Sequence, residues 1–295
     1  MDFTFYVLAI VPSVLWGFTP ILSKRALSDG GDYLQASFVL VLVSGTVFWT
    51  LLITLYPLDT LYDGYNPWVM FVFFLGGIIG TSLGRVTAFS GVERVGASLA
   101  STVISTRPFF SGLLALLFLD EVVTVSMGTG IILVVGGLMV LSSSRGGDLS
   151  GWELRDLLVP LTAAVAFGGG NVLRRYGLII SNVSALEAVA MNEVGAIVLL
   201  VPYVFFVRSK QVFGASRRSW ALFVVHGLIT SVALLSMFEA LRLGPVVIVD
   251  PFASLAPLFT VFFSFFFLKD LEKVTPRIVW GTIIIFAGVV LISIG

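Results

Sequence analysis

The chain has no cysteine and a single histidine among its 295 residues. Disulfides and thiolate metal sites are thereby excluded, and a zinc centre built on several His or Cys ligands has nothing to draw on. Charge is scarce as well. Asp, Glu, Lys and Arg make 12% of the chain and balance to a formal net charge of zero, which offers no field for nucleic acid or an acidic partner. No Gly-x-x-x-x-Gly-Lys phosphate loop occurs, so ATP hydrolysis lacks its cradle. Gly168-Gly169-Gly170 lies inside an apolar run with no strand before it, and no nucleophile, base and acid gather at one depth. No metal, no cofactor and no nucleic acid are expected.

What is present is apolar. Hydrophobic residues make 58% of the chain and mean hydropathy is +1.06, well beyond a soluble domain. The apolar runs are long enough to cross a bilayer, about 20 residues each, and too many for a signal peptide plus one anchor. Met1-Asp2-Phe3 has no basic region ahead of its apolar run, so a first span is expected there and not a cleaved signal. Ten spans are expected, over about 5–23, 34–56, 68–90, 97–119, 124–142, 155–176, 184–207, 219–241, 246–268 and 275–294. The runs show no alternation at every second residue, which favours helices over barrel strands. The fold class is an all-α integral membrane protein.

The chain also says much of itself twice. Arg107-Pro108-Phe109 falls against Ala256-Pro257-Leu258, and Phe118-Leu119-Asp120-Glu121 against Phe267-Leu268-Lys269-Asp270, both at an offset of 149. At 151, Gly136-Gly137-Leu138 meets Ala287-Gly288-Val289, and Trp16-Gly17 through Lys24 meets Phe167-Gly168 through Arg175. A fixed offset with one small slip marks an internal duplication. The polar stretch Ser142–Asp156 is the natural linker, which divides the chain into residues 1–145 and 146–295. Five spans per half is odd, so the second half enters the membrane the other way round. Ten transmembrane helices as two inverted five-helix repeats are therefore expected, with a site between the repeats.

This pattern resembles the EamA-type transporters of the drug/metabolite transporter superfamily. The features that carry it are the aromatic-Gly pairs Trp16-Gly17 and Phe167-Gly168, with Lys24 and Arg175 soon after. To these add Pro108 and Pro257, the acidic ends Asp120-Glu121 and Asp270, and the Gly-rich closing spans. The resemblance covers nearly the whole chain. It implies a plasma-membrane, multi-pass secondary exporter of amino acids, other metabolites or drugs, with both termini in the cytoplasm. The positive charges disagree with that orientation. The side holding loops 1–2, 3–4, 5–6, 7–8 and 9–10 carries twelve Lys and Arg, whereas the side of the termini carries three, Arg174, Arg175 and Arg242. The positive-inside rule then puts the termini outside.

Among candidate site residues Arg107 is the sharpest. It falls near the middle of the fourth span, where an Arg costs roughly 2.5–3.5 kcal/mol to insert. Either it holds an anionic group of a substrate through its fork of donors, or it pairs with Glu193, the one acid well inside a span. Pro108 and Pro257 are expected to bend their spans. Gly76, Gly80 and Gly84 of span three are expected to pack on Ala97, Ser101 and Ser105 of span four, small residue on small residue. That seam would fix Arg85, which either joins the site or anchors at the interface beside Glu93. His226 either carries a coupling proton or hydrogen-bonds a neighbouring helix. Asn171 and Asn192 must face inward, as substrate contacts or as glue between helices. Trp16 and Phe89 offer an aromatic wall. Asp250 is read as a cap or gate at the start of span nine, and Glu239 with Arg242 as a local pair. Asn182-Val183-Ser184 matches a glycosylation acceptor, a short and weak pattern.

The expected function is alternating-access transport of a small-molecule substrate such as an amino acid, with proton coupling as an option, by a monomer or homodimer in the lipid bilayer. A phosphorylated sugar, a nucleotide-sugar or a cationic drug is the alternative cargo. An intramembrane enzyme or a receptor are the alternative classes, and they lack respectively a catalytic set and a need for inverted symmetry.

Overall fold

A computed structural model describes residues 1–57, 66–95, 100, 103–104, 106–143, 153–208, 212–213, 216–267 and 276–294, and every regular element among them is helical. In chain order these are α1 (Phe3–Ser28), α2 (Tyr33–Leu55), α3 (Pro67–Gly76) and α4 (Gly84–Val95), the last two joined by a π-helical stretch, Gly77–Leu83. Then come α5 (Arg107–Phe118), α6 (Val125–Ser143), α7 (Leu158–Ile179), α8 (Ala185–Tyr203), α9 (Arg217–Leu243), α10 (Val246–Ala253), α11 (Ala256–Phe267) and α12 (Pro276–Ile294). Six helical runs among the described residues are long and apolar enough to cross a membrane: Phe3–Ser28, Tyr33–Leu55, Pro67–Gly91, Leu154–Ile179, Ala185–Phe206 and Arg217–Leu243. Shorter apolar helices, Arg107–Phe118 among them, complete the bundle.

Helix starts follow local chemistry. The Asp32 carboxylate accepts from Leu34 N at 2.7 Å and opens α2. Ser184 and Glu187 form a reciprocal capping box that opens α8. The Asn-Val-Ser triplet therefore serves as a helix start, and Ser184 Oγ is engaged with Glu187 at 2.7 Å.

The two prolines do not bend their segments; the helices break. Pro108 is the second residue of α5, just after a turn at Thr106, and Pro257 is the second residue of α11, just after a turn at Ser254-Leu255. A residue without an N–H is tolerated in the first turn of a helix, where that N–H has no partner, and is costly further in. Restarting the helix at the proline removes the conflict. Because the prolines match at offset 149, the ninth segment and the fourth restart at equivalent places.

The glycine seam also faces a different helix. A Cβ built on Gly80 would lie 2.8 Å from Gly170 Cα of α7, and one on Gly84 2.7 Å from the Phe167 ring. The partner of the third segment is thus the sixth, from the other half of the chain. Ala97, Ser101 and Ser105 lie outside the described residues, as do Asp270 and the side chains of Lys24 and Glu93. A second seam joins α6 to α12, the most extensive helix pair. Cβ atoms on Gly130 and Gly288 would come within 2.6 and 2.7 Å of each other's carbonyl oxygens, so only glycine allows that approach.

Candidate functional site

The helices of both halves surround a cavity of about 390 Å³. Its wall includes Trp16 of α1, Arg85 and Phe89 of α4, Arg107 of α5, Asn171 of α7 and His226 of α9. Six of the eight residues singled out from the sequence therefore meet there. Asn192 and Glu193 do not reach the wall; both are fully buried on α8, in the layer behind it.

Phe89 stacks on Tyr33, the first residue of α2, with ring centroids 5.2 Å apart. Tyr33 marks the end of the cavity near the first loop, and Arg174 with Met237 lines the far end. His226 Nδ1 and Ser23 Oγ lie 3.0 Å apart, across α9 and α1. That contact is the neighbour-helix hydrogen bond, made at the cavity edge.

From the wall back into the bundle runs one continuous polar network. Arg174 Nε donates to Asn192 Oδ1 at 3.0 Å, Nη1 to Asn171 Oδ1 at 2.7 Å and Nη2 to Thr81 Oγ1 at 2.8 Å. Its guanidinium also stands 5.4 Å from the centre of the Phe238 ring. Asn192 Nδ2 donates onward to Glu193 Oε1 at 3.2 Å, and Ser44 Oγ donates to Glu193 Oε2. On the other side Asn171 Nδ2 donates to Asp250 Oδ1 at 2.8 Å. Arg107 Nε lies 3.0 Å from that same oxygen, and its Nη2 donates to Ser254 Oγ at 2.6 Å. A buried charge in an apolar bundle persists only with partners of this kind.

Two assignments change in consequence. Arg107 pairs with Asp250 and not with Glu193, because the breaks in the fourth and ninth segments bring α5 against α10. Asp250 is no cap: it is fully buried inside α10, between Arg107 and Asn171. Arg174, counted above as a loop residue, is 5% exposed and belongs to the network. The missed signal was its spacing, since Asn171 and Arg174 are three apart on one helix face. For Asp250 the signal was an acid set within the apolar run Val246–Ala253. Glu239 and Arg242 do pair locally, at 2.9 Å.

A second charged cluster closes the bundle on the side of the termini. Glu121 Oε1 accepts from Val246 N at 2.9 Å and Oε2 from Val247 N at 3.1 Å, the first two residues of α10. Arg175 Nε lies 3.3 Å from Glu121, and its Nη1 donates to Leu241 O at 2.7 Å. An acid from the first half thus caps a helix of the second, and Arg175 ties the same acid to the end of α9. Next to this cluster, the Phe5 ring fills the space above Gly244.

The EamA-like transporter family model matches this chain twice, over residues 4–143 and 155–294. The chain belongs to the EamA-like transporter family. Among relatives of this EamA-like protein is the uncharacterized transporter YvbV of Bacillus subtilis, 24% identical over 288 residues, covering 95% of this chain and 88% of that one. A WAT1-related chloroplastic protein of Arabidopsis thaliana is 25% identical over 175 residues, 58% of this chain. The matched part spans 40% of that relative's length. A solved crystal structure superposes with a TM-score of 0.77 at 15% identity, covering 100% of this chain and 98% of its own; it shares the fold. The protein is accordingly a multi-pass membrane protein of a transporter family.

Proposed function

We propose that this protein is a secondary carrier, not an enzyme, which exports small organic metabolites across the plasma membrane by alternating access. Its helices would make ten crossings as two inverted five-helix repeats, residues 1–145 and 146–295, with the broken fourth and ninth segments crossing as one span each. The observation that carries this reading is the central cavity. Residues of both halves line it, and the Glu121–Arg175 clasp lies across its far end, where both halves again contribute. A cavity walled by both halves, with a clasp between them on the side of the termini, would be half of an alternating-access cycle. The other half requires the clasp to open while the Tyr33–Phe89 end closes. Lys and Arg are concentrated on that Tyr33–Phe89 side, which supports an inward-facing state with the termini outside.

The absence of cysteine makes the test direct. A Ser23→Cys variant places the chain's single thiol at a half-buried position on the cavity wall, and a membrane-impermeant maleimide is applied to right-side-out and inside-out vesicles. Labelling is expected from the Lys/Arg-rich side alone. Adding Glu121→Ala should release the α10 N-terminus and raise labelling from the opposite side, since about two charge-assisted bonds of roughly 1.5–3 kcal/mol each are lost. Labelling from one side only, in the double variant as in the single one, would refute the alternating-access reading.

A further inference from the structure

The cavity has three arginines in its wall, Arg85, Arg107 and Arg174, and they are not equivalent. Arg107 is matched by Asp250 at 3.0 Å. Arg174 spends three donors on Asn192, Asn171 and Thr81. Arg85 is left over. Its Nη1 is buried and has no hydrogen-bond partner, and no carboxylate lies within 4.0 Å of it among the described residues. A guanidinium donor without a hydrogen-bond acceptor is a costly arrangement, and the same side chain lines the cavity.

The charge count agrees. Among the described residues, three guanidinium groups stand within and behind the wall against two carboxylates, Asp250 and Glu193, so one negative charge would balance the site. Among the described residues the wall contains neither Asp nor Glu. An ammonium group entering with the solute would find cations and no anion. Most of the remaining wall is apolar or aromatic, with Trp16, Phe89 and Phe167 among its residues.

We propose that the cavity binds an organic monocarboxylate, whose carboxylate docks on Arg85 while its apolar or aromatic remainder lies against the aromatic wall, and that it discriminates against the corresponding amino acid. The inference rests on the carrier reading above and narrows the solute class. A carboxylate matches the planar fork of a guanidinium and would bind the face that Arg85 turns to the cavity, adding the negative charge that the buried Nη1 side of the group does not find. A dianionic phosphate ester suits the site less, because the other two arginines are already engaged. Among amino acids, the added ammonium brings a desolvation cost with no partner to offset it.

Three probes of one shape separate these classes: 3-phenylpropionate, phenylalanine and phenethylamine, with glucose 6-phosphate as the dianion. Binding to the purified protein is read by isothermal titration calorimetry, and exchange is read in liposomes preloaded with the same solute. 3-Phenylpropionate should bind and exchange, with phenylalanine weaker by roughly tenfold or more. Arg85→Gln should weaken 3-phenylpropionate by a similar factor, and Arg85→Lys should recover part of it, with thermal midpoints no lower than that of the unsubstituted chain in both. Phenylalanine, phenethylamine or the phosphate ester binding as tightly as 3-phenylpropionate would overturn the inference, as would wild-type affinity in Arg85→Gln. Exchange of one of those other solutes would then leave the carrier reading standing. Binding of 3-phenylpropionate with no exchange would do the reverse, keeping the site and removing the carrier.

Discussion

Asp250→Ala should be among the most destabilising single changes in this protein, lowering stability by about 3–5 kcal/mol, the usual cost of breaking a buried ion pair from one side. Asp250 is fully buried, and the Arg107 side chain is 16% exposed. Removing the carboxylate leaves the guanidinium with Ser254 Oγ alone and takes the acceptor from Asn171 Nδ2. The loss then spreads, because Asn171 also accepts from Arg174. The double variant Arg107→Met with Asp250→Ala removes the orphaned charge together with its partner. It should be clearly more stable than Asp250→Ala alone, since replacing both members of a buried pair is often close to neutral. Thermal unfolding of the detergent-purified chain, followed by size-exclusion elution, measures both. Additive losses in the double variant would show that the two side chains act independently, and the network described here would be wrong at its central link.

The duplication, the helical class and the family motifs are legible in the chain because each rests on local pattern: apolar runs of bilayer length, repeated offsets, prolines at matching places. Pairings between segments are not local, and there the reading fails for physical reasons. A linear argument offers Arg107 only Glu193, and it is the break beside Pro108 that brings α5 against α10 and gives it Asp250. Gly76, Gly80 and Gly84 announce a close helix contact, yet nothing in their spacing says whether the partner is the next segment or one from the other half. Arg174 is the more instructive miss. Near the end of a span an arginine reads as a loop charge, whereas Asn171 one turn earlier and Thr81 in the π-helical stretch hold it inside. A π-helical stretch re-aims the side chains that follow it by inserting a residue, and no apolar periodicity reveals where one will form. Glu121 combines both lessons. Its place in the family pattern is visible, but its ligands are backbone N–H groups of the other half.

Gly77→Ala is expected to lower folded yield far more than its single added methyl suggests. Gly77 lies in the π-helical stretch, and a Cβ there would run into the backbone carbonyl of Asn192 and within 2.9 Å of Ala196 N. The reciprocal contact holds Gly195 of α8 against the Phe74 carbonyl. Both obstacles are main chain, so no rotamer change relieves them and the two helices must separate. Separation would also stretch the Asn192–Thr81 hydrogen bond, 3.1 Å long, and the Ser82 bond to Ala196 O, 2.7 Å long. Overpacking alone costs typically about 1–3 kcal/mol, and these polar losses add to it. Gly136→Ala supplies the control. A Cβ at Gly136 meets nothing within 4 Å, so inside α6 the change should be neutral or should stabilise by about 0.5–1 kcal/mol through helix propensity. The comparison isolates packing from propensity, since both substitutions are glycine to alanine within a helix. Equal melting points for the two variants would mean that the approach of the third and seventh segments is looser than the structure has it. The polar network that depends on this approach would then lose its geometric footing, because Thr81, Asn192 and Arg174 meet only where those helices touch.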